Sequence, residues 1–220
     1  MKINRNPENK KSAYLYHITS TPSLLSIINS GEFQGRNTFK LSLGGNEIRP
    51  LSLTTDKSLK YANQYFKNLD VLVQFKKEVR QQYNCIDIDY NMENLMKTSE
   101  GQAIFKYIVG ENEGNSYLSN IALSIQKGNS TSSEILRQAQ ECLSQYSFEK
   151  EVVAVEPIRL VDVNIIQFYL KRAYSYSDLL NGNSFYTNIV QIIKQLPYIK
   201  CSVVDINDNV VYTSKNGWVR

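Results

Sequence analysis

Cysteine, histidine and tryptophan are scarce, with three, one and one among 220 residues. Cys85, Cys142 and Cys201 are odd in number and widely spaced, and no Cys-x-x-Cys occurs. That excludes a disulfide framework and a zinc knuckle, and each cysteine reads as a buried, reduced side chain. His17 is the only histidine, so a metal site would need carboxylates or cysteines that do not cluster at ligand spacing. No metal is expected. No apolar run is long enough to span a bilayer, and the polar start Met1 to Asn6 has no secretory apolar core. The expectation is a cytoplasmic protein, or one delivered into a target cell without a cleavable signal peptide, with no membrane partner. Glycine fingerprints are missing as well: there is no Gly-x-Gly-x-x-Gly, no phosphate-binding loop ending in Gly-Lys-Ser/Thr, and no Gly-x-Ser-x-Gly elbow. Charge is not one-sided either. A net charge of +4 without a dense Lys/Arg stripe permits nucleic acid or an acidic partner and argues for neither.

The composition that remains, 42% hydrophobic and 21% charged, is that of an ordinary globular protein able to bury a core without staples. Residues 1–12 read as a polar flexible leader. A β-prone run, Ala13 to Thr19, leads into a helix with Ser20 or Thr21 as N-cap, Pro22 at its first turn and Gly31 as its stop. Gly31 to Pro50 holds four glycines and is too long for a simple connector, so it is a candidate for shaping a ligand cleft. Leu51 to Thr54 reads as a short strand before a helix carrying Leu59, Ala62, Tyr65 and Phe66. Asp70 to Phe75 is another strand, with a further short one around Cys85 to Asp89. Residues 91–146 follow helical periodicity. Glu149 to Val155 and Pro157 to Val163 read as strands, Tyr174 to Leu196 as helix interrupted at Asn181-Gly182-Asn183, and Ile199 to Tyr212 as a hairpin. The expected fold class is α+β: a single domain over 13–220 with a helical insertion at about 91–146, and a monomer.

The stretch with most chemical content is Phe148-Glu149-Lys150-Glu151 followed by Val152-Val153-Ala154-Val155. Side chains two apart on a strand share a face, so Glu149 and Glu151 look the same way while the apolar run anchors them. Any Glu-x-Glu taken alone is more often a solvated strand end. His17, in Tyr16-His17-Ile18-Thr19, is as well explained as a core histidine satisfied by backbone. Ser52, Thr54 and Thr55 lie at a strand-to-helix junction, where capping accounts for Thr55 but not for Ser52.

Taken in order, Tyr-His-Ile-Thr before a capped helix, Ser-Leu-Thr-Thr before a second, and Glu-x-Glu opening a late strand resemble the ADP-ribosyltransferase superfamily. The resemblance covers Tyr14 to about Val163. Leu15 to Thr19 looks like the His-type first motif of the polymerase branch. Ser52-Leu53-Thr54-Thr55-Asp56, with Tyr61-Ala62 in the next helix, is similar to the Ser-Thr-Ser element of bacterial toxins. Glu149-Lys150-Glu151 looks like the Glu-x-Glu of arginine-directed members. A His first motif beside a Ser-type middle motif belongs wholly to neither branch. What the resemblance implies is a split β-sandwich of two small mixed or antiparallel sheets, with NAD as substrate and no metal. Glu151 and Glu149 would be the catalytic pair, and Tyr16, His17, Thr19, Ser52, Thr54 and Tyr61 the NAD-binding residues. The implied activity is mono-ADP-ribosylation of a protein side chain, arginine favoured, by a bacterial effector, toxin or phage-encoded host modifier.

Two alternatives remain open at this stage. The Tyr-His-Ile-Thr start also looks like the DarT family, whose acceptor is single-stranded DNA; Trp218 at the C-terminal end argues against a tryptophan stacking platform for it. The other is a non-catalytic α+β interaction module, with the glutamates as a solvated strand end. Under the enzymatic reading, His17, Ser52 and Glu151 are expected to line one dinucleotide-sized groove.

Overall fold

The structure, a computed structural model, describes residues 14–35, 41–43, 46–49, 51–55, 69–83, 85–87, 151–154 and 156–219. The chain opens with strand β1 (Tyr16–Thr19), helix α1 (Thr21–Ser30), and the short strands β2 (Glu32–Phe33), β3 (Leu41–Leu43), β4 (Asn46–Ile48) and β5 (Leu51–Thr54). Next come β6 (Val71–Phe75), α2 (Val79–Gln82), β7 (Cys85–Asp87), β8 (Glu151–Ala154) and β9 (Ile158–Arg159). A 3-10 turn (Leu160–Asp162) leads to β10 (Val163–Tyr169), then α3 (Tyr176–Leu180) and α4 (Ser184–Lys194). The chain finishes with β11 (Lys200–Val204), β12 (Val210–Thr213) and β13 (Gly217–Trp218). The fold class is α+β. The helix expected over Leu59 to Phe66, the leader and the helical insertion at 91–146 lie outside the described residues.

By chain contacts the protein divides into two compact units, each discontinuous in sequence. The first comprises Met1–Leu25, Thr55–Arg80 and Asp162–Arg220, the second Ser26–Thr54 and Gln81–Val161.

In the first unit the strand order is β13-β12-β11-β10-β6-β1. β6 is the buried centre: Val71, Val73 and Phe75 have no exposed surface. Val71 and Val73 stand opposite Thr19 and His17 of β1 and opposite Phe168 and Ile166 of β10, and Phe75 stands opposite Val163. β6 is antiparallel to both neighbours, whereas β10 and β11 run parallel, so the sheet is mixed. A parallel pair needs a crossover, and α3 and α4 supply it. The apolar face of α4 (Tyr186, Ile189, Ile192, Ile193) is buried at helical spacing. Its N-cap is Asn183, whose side chain accepts the Phe185 N–H at 3.0 Å.

The expected strand over Pro157 to Val163 is corrected here. β9 and β10 are separate strands, with a turn between them in which Asp162 is buried. β10 then continues to Tyr169, beyond the expected run. A register shift between Val163 and Ile165 resets its alternation, and the adjacent Ile165-Ile166 pair blurs the period-two pattern by which a strand is read. The short β13 likewise lies beyond the expected hairpin.

Two local devices match their sequence signals. Ser20 caps α1 through its Oγ, which accepts the Ser23 N–H at 3.3 Å, and Gly31 ends the helix at φ +76, its N–H bonded to Ile27 C=O at 2.8 Å. Asn207-Asp208-Asn209 does form the turn of the β11–β12 hairpin. The buried Asp205 carboxylate accepts the N–H groups of Asn207 at 2.9 Å and Asn209 at 3.0 Å, and Asp208 takes the left-handed conformation at φ 64. Burial alone would raise the Asp205 carboxyl, but hydrogen bonds from Asn209, Tyr174 and Asn207 hold it below the ordinary aspartate range. Cys201 is the buried thiol expected, pushed up to about 12 by desolvation, whereas Cys85, expected to be buried too, is only half-buried at the start of β7.

Gly31→Ala should destabilise by about 1–2 kcal/mol in urea denaturation, because a Cβ there meets open space and only the left-handed backbone is penalised. Gly31→Asn should recover part of the loss. Asp205→Ala should also be less stable. Because the native carboxyl value is depressed, the deficit should be full near neutral pH and shrink as pH falls below the ordinary value of 3.8, where the wild type loses the same contribution.

Candidate functional site

In the second unit the strand order is β5-β8-β7, with β2–β9 and β3–β4 as separate pairs. β8 is antiparallel to both neighbours. Its anchor is apolar: Val152, Val153 and Ala154 are at most 1% exposed, and on β5 Leu51 and Leu53 are 3% and 2% exposed. The register pairs Leu51 with Ala154 and Leu53 with Val152, so these side chains share the core face. The same register sets Glu151 level with Thr54 and Val153 level with Ser52. Ser52 is exposed and Thr54 half-buried. On the far side of β8, Asp87 is level with Val152 and Cys85 with Ala154.

Three of the residues singled out by sequence, Ser52, Thr54 and Glu151, are therefore brought to one pair of adjacent strands. The alternation that leaves Ser52 outward also drives its neighbours Leu51 and Leu53 inward. Glu149 and Tyr61 lie outside the described residues.

Tyr16, His17 and Thr19 are in the first unit, on β1. Tyr16 and Thr19 are buried, at 8% and 6% exposure, which leaves them little surface for a ligand. His17 is half-buried, level with Val73 of β6. The turn from β1 into α1 carries a support that local sequence did not reveal. Asp70, at the head of β6, accepts the Thr21 N–H at 2.7 Å and the Thr21 hydroxyl at 2.9 Å. A carboxylate at the first helical N–H satisfies an orphan donor and opposes the positive end of the helix. The two residues are 49 apart in sequence, and no local pattern reports such a contact.

The second unit also has a shallow surface depression of about 510 Å³ lined by Glu32, Gln82, Tyr83, Glu156, Pro157 and Arg159. Tyr83 Oη accepts both the backbone N–H of Arg159 at 3.3 Å and its Nε–H at 3.2 Å. Gln34 Nε2 donates to Glu32 Oε2 at 2.9 Å. Two carboxylates beside an anchored guanidinium suit a polar ligand of mixed charge. The set is assembled from three separated segments, so no single motif announces it. Among the described residues there is no group of three or more His, Cys, Asp or Glu placed to hold a metal ion, and no helix long and apolar enough to cross a membrane.

The rigidity of the β5–β8 mount is testable. Leu53→Ala empties a fully packed position level with Val152 and should cost about 2–5 kcal/mol in chemical denaturation. Leu53→Met, which conserves volume, should cost under about 1.5 kcal/mol. No protein-family model, curated protein or solved structure matches the chain.

Proposed function

We propose that the chain is an NAD-dependent mono-ADP-ribosyltransferase that modifies a protein side chain, arginine favoured, and releases nicotinamide. The observation that carries this reading is the β5–β8 register. It sets Glu151 level with Thr54 and two residues from the position of Ser52, on strands held by a dry apolar face. A hydroxyl-bearing strand beside the start of a Glu-x-Glu strand is what the family resemblance requires. The half-buried His17, on a strand leading into a capped helix, agrees with the His-type first motif.

In this reading the fold is the family's split β-sandwich, and NAD is bound through polar groups that retain accessible surface. Ser52 and Thr54 support the strand beside Glu151, and the resemblance by itself gives His17 a ribose hydroxyl or the adenosine part of NAD. The bond between nicotinamide and ribose breaks, and positive charge develops on the sugar. A carboxylate fixed beside that ring stabilises the charge where it forms, the role of Glu151. The new bond joins the ribose carbon to a guanidinium nitrogen of the acceptor, and the proton released there passes to Glu149. An arginine acceptor explains a second carboxylate two residues away, because guanidinium and carboxylate pair in a planar fork.

Glu151→Gln should lower both transfer and NAD hydrolysis by about 10²–10³-fold, the usual cost of losing one charge-stabilising group. Glu149→Ala should lose transfer to an arginine acceptor and retain hydrolysis. Nicotinamide release and acceptor labelling, measured side by side, check both. Wild-type transfer by Glu149→Ala would remove the arginine assignment, and wild-type hydrolysis by Glu151→Gln would remove the catalytic one.

A further inference from the structure

Where β10 ends, the chain turns outward through Lys171 and Arg172 before returning along α3 and α4. Asp70, Tyr169, Lys171, Arg172, Asn183 and Phe185 line an open depression of about 480 Å³ there, wholly within the first unit. That volume falls in the range of about 300–1,000 Å³ usual for small-molecule sites. The location has a topological reason. β10, α4 and β11 form a parallel crossover, and ligands of such units gather beyond the carboxyl ends of the strands.

Arg172 is held ready for an anion. Its guanidinium carbon lies 5.4 Å from the Tyr186 ring centroid and 6.0 Å from that of Phe185, and these cation–π contacts restrain the planar fork. Its ion pair with Asp178 is long, 3.8 Å, between side chains 46% and 41% exposed, a contact that an incoming anion readily displaces. Lys171 beside it is exposed. The carboxylate of the lining, Asp70, is already engaged by the Thr21 N–H and hydroxyl. The aromatic part of the lining is different in character. Phe185 is 39% exposed, and Tyr169 is half-buried, its hydroxyl donating to Gln167 Oε1 at 3.2 Å. Burial and the charge of Asp208 both raise the Tyr169 hydroxyl, so that end of the depression disfavours a second negative charge.

We propose that this depression binds a small phosphate monoester carried on a ring, with the phosphate on Arg172 and Lys171 and the ring against Phe185 and Tyr169. Guanidinium matches phosphate oxygens in a bidentate fork, and the lysine adds a point charge. No bond is made or broken. The ligand is additional to NAD, and its binding does not depend on Glu151.

The test is calorimetric titration of the full chain with phenyl phosphate, with inorganic phosphate and phenol as separate arms. Trp218 emission gives a second readout, because its ring centroid lies 5.2 Å from that of Tyr186, on which Arg172 rests. Saturable phenyl phosphate binding is expected, weaker binding of inorganic phosphate, and none of phenol. Arg172→Ala should weaken phenyl phosphate binding by about ten-fold or more, and Arg172→Lys by less. Lys171→Ala should act in the same direction and serves if circular dichroism shows Arg172→Ala to be misfolded. The proposal is overturned by an absence of saturable binding at millimolar phenyl phosphate, or by folded Arg172→Ala and Lys171→Ala binding as the wild type does. It is equally overturned if phenol binds as tightly as its phosphate, or if inorganic phosphate binds as tightly as the ring-bearing ester.

Discussion

The ladder between β5 and β8 is the constraint on which the functional account depends. A strand presents alternate residues to alternate faces, so a slip of one residue would exchange every inward and outward position. Here the slip is opposed by close packing: Leu51, Leu53, Val152 and Ala154 are all nearly inaccessible and pair off across the ladder. Moving Leu51 or Leu53 to the face on which Ser52 is exposed would expose apolar area worth about 25 cal/mol per Å². The level positions of Thr54 and Glu151 follow from that apolar register. The polar residues thus owe their placement to their hydrophobic neighbours, which is how a strand gives chemistry a rigid mount.

In the first unit β6 has a comparable part. Its buried residues organise the sheet on both sides, while Asp70 at its head joins three elements at once. The carboxylate holds the start of α1, the backbone N–H donates to Thr19 C=O at 3.2 Å, and the backbone C=O accepts the Tyr169 N–H at 2.8 Å. A short polar residue at the end of a buried strand can do this because its backbone closes the ladders while its side chain reaches the next element. Further along the sheet, Trp218 stacks on Tyr174 at 5.6 Å between centroids, with planes 4° apart, and meets Tyr186 and Tyr212. Such contacts stabilise beyond area alone. They make the single tryptophan a packing residue in a cluster of the chain's own aromatics.

Elements bounded by strong local chemistry were legible in the sequence. The Ser20 cap and the Gly31 stop define α1, the Asn181-Gly182-Asn183 break separates α3 from α4, and Asn207-Asp208-Asn209 turns the terminal hairpin. The strands β5, β6, β7 and β8 also stand where apolar alternation or β-branched runs placed them. β10 escaped because a register shift and two adjacent isoleucines disturb the period. The support of α1 by Asp70 and the anchoring of Arg159 by Tyr83 escaped because they join residues far apart in the chain. For the candidate site, the positions of Ser52 and Thr54 relative to Glu151 were approachable from sequence, since a strand pair with an apolar core has few registers. The burial of Tyr16 and Thr19 was not, because a β-prone aromatic run looks the same whether one of its faces or both are covered.

The most direct measurement is mass spectrometry of wild-type reactions containing NAD with an arginine-rich polypeptide, single-stranded DNA or no acceptor. Free nicotinamide together with ADP-ribose attached to arginine side chains is expected, with the DNA unmodified. ADP-ribose on DNA alone would contradict the protein-acceptor assignment. No nicotinamide release from folded protein under any of the three conditions would contradict the enzymatic reading itself.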